Sequence, residues 1–246
     1  MLTDPLFWLV AVPAVLITGI SKSGFAGGAG GLTVPLLALA ISPAAAAAVM
    51  LPLLIYMDIL SVRSWWGKHN SRQLWILLPP ACLGILVGYL LFGSLNEQYL
   101  RSILGVISLG FGLYGLTRGN KSSSTPSPLV GRLCGLTAGF TSFVAHAGGP
   151  PLNAYLIPLR LVKSEFLATA VMFFASINAV KLIPYSLLGQ INLSNLLVSV
   201  ALAPIAWLGV RIGLKVQARI DDTLFKRIIL SLMVLVGLRL LWTGLV

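Results

Sequence analysis

Apolar runs of membrane-spanning length recur along the chain, at roughly positions 44–65, 74–93, 99–116, 165–187, 193–214 and 224–245. Each supplies the roughly 20 residues that a helix rising 1.5 Å per residue needs to cross the hydrocarbon core. A strand-built barrel would show apolar/polar alternation over about ten residues, and the sequence has none. Charged residues make up 9% of positions and apolar residues 57%. Soluble domains carry about a quarter charged residues, so this chain cannot solvate its own surface in water. An all-α integral membrane protein follows, with the lipid bilayer as its first partner.

A net charge of +11 would suggest a nucleic-acid binder in a soluble protein. Here the basic residues lie in short loops between spans, where the positive-inside rule accounts for them, and no nucleic-acid partner is expected. Cys82 and Cys134 both sit in apolar segments without a His cluster nearby. They read as small packing residues, and neither a metal nor another cofactor is expected. The first residues lack a basic region, so no cleaved signal is expected.

The chain divides at a polar stretch, residues 120–128, which reads as a cytoplasmic linker between membrane repeats at 1–119 and 129–246. GFAGGAGGLTVPL at 24–36 is echoed by SFVAHAGGPPL at 142–152, with Gly30 and Gly31 matching Gly148 and Gly149. LNEQYLRSIL at 95–104 is echoed by IDDTLFKRII at 220–229. Weak duplication of this kind marks transporters built from repeats.

Each half opens with a segment that does not fit one span. Residues 5–41 are nearly twice a crossing and are interrupted by the glycines of 21–31; residues 129–158 are interrupted by AGGPP at 147–151. Glycine and proline both oppose continuous helix. Each segment is either one long crossing followed by a stub, or a re-entrant hairpin. Loop charge favours the hairpins. With three crossings per half, thirteen of the seventeen Lys and Arg fall on one side, as the positive-inside rule requires. The expected fold is therefore two inverted repeats, each a broken or re-entrant helix hairpin plus three transmembrane helices, with both termini outside.

Broken backbone in hydrocarbon is tolerated where it lines a cavity or is buried in protein, so the matched breaks point to a central site. Helices beginning after the breaks, near Leu32 and Leu152, would aim free N–H groups at an anion. Thr33 and Asn153 would add side-chain donors. Ionisable residues at membrane depth are costly without a partner or water, which singles out Lys22, Asp58 and His146. The repeat alignment sets Arg63 against Lys181, one cation toward each mouth, and Asn178 shares a helix face with Lys181. Asp58 reads as a structural partner for Lys22 or as a proton carrier, and His146 as a titrating group or a packing residue. No second His or Cys stands at ligand spacing from His146. Tyr56, Asp58 and Arg63 are the candidates for gating or coupling.

With AGGAGGLTVPLL at 26–37 and HAGGPPLNAYL at 146–156, the chain resembles the sulfite exporter TauE/SafE (TSUP) family over essentially its whole length. The resemblance implies a secondary transporter of the bacterial inner (cytoplasmic) membrane. Its substrates would be small sulfur-containing anions: sulfite, thiosulfate or short organosulfonates such as sulfoacetate. It also implies that Gly27, Gly28, Gly30, Gly31, Thr33, Gly148, Gly149 and Asn153 occupy the substrate-facing breaks. Lys22, Asn178, Lys181 and His146 complete the expected substrate-binding set. The partners are then a small anion and the bilayer, with a homodimer as a further option. A passive anion channel is the alternative. An enzyme is not expected: no GxSxG or paired-Asp motif accompanies Ser21, Ser23, Ser142 and His146. No GxxxxGK[ST] signature is present either.

Overall fold

The structure is a computed structural model that describes residues 4–24, 27, 30–92, 96–117, 125–216 and 222–245. The described residues form α1 (Pro5–Gly24), α2 (Gly30–Leu37), α3 (Pro43–Trp65), α4 (Ser71–Phe92) and α5 (Glu97–Thr117) in the first half. The second half holds α6 (Pro128–Ala145), α7 (Gly149–Leu156), α8 (Lys163–Leu187), α9 (Leu193–Val216) and α10 (Asp222–Leu245). Gly28 and most of the expected linker, 120–124, lie outside the described residues. Among the described residues, seven helices (α1, α3, α4, α5, α6, α8 and α9) are long and apolar enough to cross a membrane.

Helix starts follow local sequence. Ser42 and Ser127 each accept a hydrogen bond from the backbone three residues on and are each followed by proline at the first helical position. Such a serine satisfies an otherwise orphaned N–H, and proline there has no N–H to lose. Asn70, Asn96 and Asn192 cap α4, α5 and α9 in the same manner.

Small residues set the packing between helices. α4 and α6 run side by side, and a Cβ on Gly84 or Gly139 would collide with the carbonyl oxygens of Leu136 and Ala81. Gly131 lies against Ile76 and Gly88 against Phe143, so the two helices run parallel. α1 and α9 are also parallel, joined at Gly19 and Gly209, then at Ile20 and Gly213. α5 and α10 are antiparallel, with Gly105 beside Gly237 and Gly112 beside Leu230. Without a hydrophobic drive between helices in lipid, close backbone approach of this kind holds them together.

These directions decide how the two long opening segments run. Asn70, between α3 and α4, donates from Nδ2 to Glu165 at 2.7 Å and from its backbone N–H to Thr169 at 2.9 Å. The start of α8 therefore lies at the same end of the bundle as the start of α4. α6, parallel to α4, starts there too, so α6 and α7 together enter and return. At the opposite end, Arg101 near the start of α5 bonds the Ala38 carbonyl after α2 at 2.7 Å. Ser199 near the start of α9 bonds Val49 near the start of α3 at 2.8 Å. With α1 parallel to α9, α1 and α2 also enter and return to one end. The structure thus combines the two readings of these segments: a first arm long enough to cross, and an eight-residue second arm that brings the chain back.

Two measurements check this arrangement. In a background lacking Cys82 and Cys134, Lys68→Cys and Ser164→Cys should be labelled from one side of the membrane and Ser194→Cys from the other. Labelling of 68 and 164 from opposite sides would exclude the returning hairpin. Gly139→Leu, which drives a side chain into Ala81, should lower thermal stability in detergent by about 1–3 kcal/mol or more, the usual cost of overpacking.

Candidate functional site: a buried cationic cluster between the hairpins

Both glycine breaks end at one place. Gly27 has φ +67°, and its Cα lies so near the Phe174 ring that a Cβ would come within 2.8 Å of it. Gly30 and Gly31 face His146 and Ala147 of the second break, and a Cβ on Gly148 would lie 3.2 Å from the other edge of Phe174. The breaks are therefore closed against each other and against α8. Thr33 is buried and hydrogen-bonds Thr18, tying α2 to α1. Gly149 is buried as the first residue of α7, and Asn153 is half-buried on the same helix. Oδ1 of Asn153 is enclosed without a hydrogen-bond partner among the described residues.

The expected anion site at the start of α7 is poorly supplied with donors. Its second and third residues are Pro150 and Pro151, which carry no N–H. The backbone N–H groups of His146 and Ala147 are already spent on Ser142 and Thr141. In the first three residues of α7, only Gly149 can donate.

Charge gathers instead on side chains behind the breaks. Lys22, near the end of α1, places Nζ 2.8 Å from Asp58 Oδ1 as an ion pair rather than a well-directed hydrogen bond. The same ammonium lies 5.3 Å from the centre of the Phe174 ring. The second carboxylate oxygen, Oδ2, accepts from Asn178 Nδ2 at 2.7 Å. One turn along α8, Lys181 donates to the Ser142 carbonyl (3.0 Å), Ser142 Oγ (3.0 Å) and His146 Nδ1 (2.8 Å). An ammonium has three protons, and this arrangement uses all of them. His146, held at φ 51° as the cap of α6, puts Nε2 3.0 Å from the Ala47 carbonyl. A carbonyl only accepts, so Nε2 carries the proton and Nδ1 receives the Lys181 bond. Tyr185 stacks on the imidazole and donates to the Phe143 carbonyl at 2.8 Å.

Asp58 lies about 22 Å from the first residue of α3 and about 10 Å from its last, and its partner Asn178 lies about 22 Å from the first residue of α8 and about 14 Å from its last, so the cluster sits well inside both spans. Lys181 has no accessible surface, and no described carboxylate lies within ion-pair distance of it. The expectation of one cation at each mouth is therefore corrected. Arg63 is exposed near the end of α3, whereas Lys181 is enclosed, because three acceptors from α6 and its cap draw it inward.

A cavity of about 760 Å³ runs between α3 and α8, lined on α3 from Ile55 to Trp66 and on α8 by Ala175, Ala179 and Leu182. Among its described lining residues, Asp58 and Arg63 alone are charged. Tyr56 is half-buried on α3 outside that lining. Sequence reasoning thus found Lys22, Asp58, His146, Asn178 and Lys181, which the fold brings together. It missed Phe174 and the Ala47 carbonyl, which carry no signal within apolar runs.

A family model described as Sulfite exporter TauE/SafE matches residues 11–240. The chain belongs to this family. It is a TauE/SafE membrane transporter, not an enzyme. Comparisons with curated proteins and with solved structures return no match.

Removing one partner of a buried ion pair leaves an uncompensated charge and typically costs about 3–5 kcal/mol. Lys22→Met should therefore lower the melting temperature in detergent sharply, and adding Asp58→Asn to it should recover much of the loss. Equal melting of the single and double variants would show that the pair is not buried as described.

Proposed function

We propose that this TauE/SafE transporter is a secondary carrier of small sulfur-containing anions, sulfite or a C2 organosulfonate such as sulfoacetate. The observation that carries this reading is the enclosure of lysines inside the membrane span. Lys22 and Lys181 are buried, and Lys22 is held against one carboxylate, Asp58. A buried cation is costly without an anionic partner, and a bound anion can take that part. Lys22 and Asn178 would supply charge and hydrogen bonds, and Lys181 would add positive field from behind them. Thr33, Asn153 and His146 complete the polar surroundings, and the glycines at 27, 28, 30, 31, 148 and 149 let main chain approach closely. Arg63 would draw anions to the cavity, with Tyr56 and Asp58 as candidates for gating or coupling.

Alternating access would come from two inverted repeats, residues 1–119 and 129–246, joined by a cytoplasmic linker at 120–128. The helix pairings support this. Exchanging the halves turns α1 against α9 into α6 against α4, and α3 against α9 into α8 against α4, while α5 against α10 and α3 against α8 map onto themselves. The basic loops then face the cytoplasm by the positive-inside rule, with both termini outside a bacterial inner membrane.

The cluster also argues for a carrier over a passive channel. Lys22 is paired with Asp58, Lys181 is bonded to Ser142 and His146, and the described glycines of the breaks lie tightly against Phe174, His146 and Ala147. Two assays test the reading. Sulfite, thiosulfate or sulfoacetate should raise the melting temperature of the detergent-solubilised protein by mass action, and sulfate or taurine should do so less. In vesicles, substrate on the far side should accelerate uptake. Uptake indifferent to trans substrate would indicate a pore, and the absence of any shift with a sulfur anion would remove this substrate class.

A further inference from the structure

The cavity meets the cluster in an unexpected order. Its lining includes Asp58 but neither Lys22 nor Lys181, so an anion moving inward past Arg63 encounters a carboxylate first. Behind that carboxylate, the Lys22 ammonium is already engaged at 2.8 Å. Lys181 offers nothing in its place, since its three protons are spent on Ser142 and His146.

We propose that Asp58 is the resident counter-ion of Lys22 in the empty carrier, and that a substrate anion replaces it only when Asp58 takes up a proton. One proton then travels with each anion. This rests on the anion-carrier reading above and deepens it by naming the coupled ion and the group that carries it.

The physical reason is like-charge repulsion at close range. An ionised Asp58 and a bound anion would share one ammonium in a water-poor interior, where two adjacent negative charges repel strongly. A proton on Oδ1 breaks the Lys22–Asp58 pair and frees the ammonium for the anion. The total charge of the cluster is then the same before and after a monoanion binds. Release at the other face reverses both events: the anion leaves Lys22, the proton leaves Asp58, and the ion pair re-forms. No other reactant is consumed.

Asn178 suits both states. Its Nδ2 donates to the ionised carboxylate at 2.7 Å, and its amide oxygen accepts from the protonated one after an amide flip. The other groups around Asp58 are Lys22 from α1, Lys181 from α8 and Arg63 on its own helix. His146 lies behind Lys181 and is the weaker carrier. Its Nε2 proton is held by Ala47, and a second proton on Nδ1 would face the Lys181 ammonium at 2.8 Å.

Ethanesulfonate is a suitable probe because its charge does not change over the working pH range. Calorimetric titration of the wild-type protein in buffers of different ionisation enthalpy should show about one proton taken up per anion bound. Affinity should fall about tenfold per pH unit where Asp58 is ionised in the empty protein. Asp58→Asn should bind ethanesulfonate with no proton uptake and no pH dependence. In vesicles it should exchange anion for anion yet fail to accumulate it in response to a pH gradient. Wild-type binding without proton uptake, or an Asp58→Asn variant that still takes up a proton, would overturn the proposal. The wild-type proton count decides the matter alone should the variant not fold. Failure of ethanesulfonate, sulfite and thiosulfate alike to bind the folded wild-type protein would instead overturn the anion-carrier reading, and this one with it.

Discussion

The enclosure of two lysines and one carboxylate well inside the spans is the constraint around which this fold is arranged. Each group sits on a different part of the chain: Lys22 at the end of the first long arm, Asp58 on α3, Lys181 on α8. Their neighbours come from both hairpins. An ion in hydrocarbon costs several kcal/mol unless partners are held close, so the hairpins and the central helices must keep register with one another. His146 shows how tightly this is done. Its backbone caps α6, its Nδ1 serves Lys181 from α8, and its Nε2 reaches Ala47 on α3.

Glycine makes that register attainable. Parallel contacts of α4 with α6 and of α1 with α9 depend on positions where no Cβ fits, and these contacts dock each long arm to a helix of the other half. The breaks themselves are closed by the same economy of size, with Gly27 and Gly148 on two sides of Phe174 and Gly30 and Gly31 against the second break. Stability and site are therefore not separable here. A side chain added at a break would push on Phe174 or His146, and through them on the lysines.

Much of this was legible beforehand. Apolar run length located five of the seven candidate spans, α3, α4, α5, α8 and α9, to within a few residues, whereas α1 and α6 were expected as arms of hairpins and 224–245 as a span. Membrane-depth ionisable residues marked most of the cluster, because a charge placed there is expensive and therefore has a reason to be there. The start of α7 offers an anion few backbone donors, because Pro150 and Pro151 carry no N–H. Lys181 was set at a mouth because the repeat alignment paired it with Arg63, and alignment carries no information about which acceptors lie near.

Length, hydropathy and the distribution of basic loops depend only on composition and order along the chain. They determined by themselves that this is a helical membrane protein with glycine-broken segments at 5–41 and 129–158. Which charge neutralises which depends on contacts between residues far apart in sequence: Lys22 with Asp58, Asp58 with Asn178, Lys181 with His146. Those pairings, and the fact that the cavity reaches the carboxylate before either lysine, were decided only when close helix packing brought the two halves together. Electrostatic energy in a low-dielectric interior turns on distances of a few ångströms, and linear sequence does not encode them.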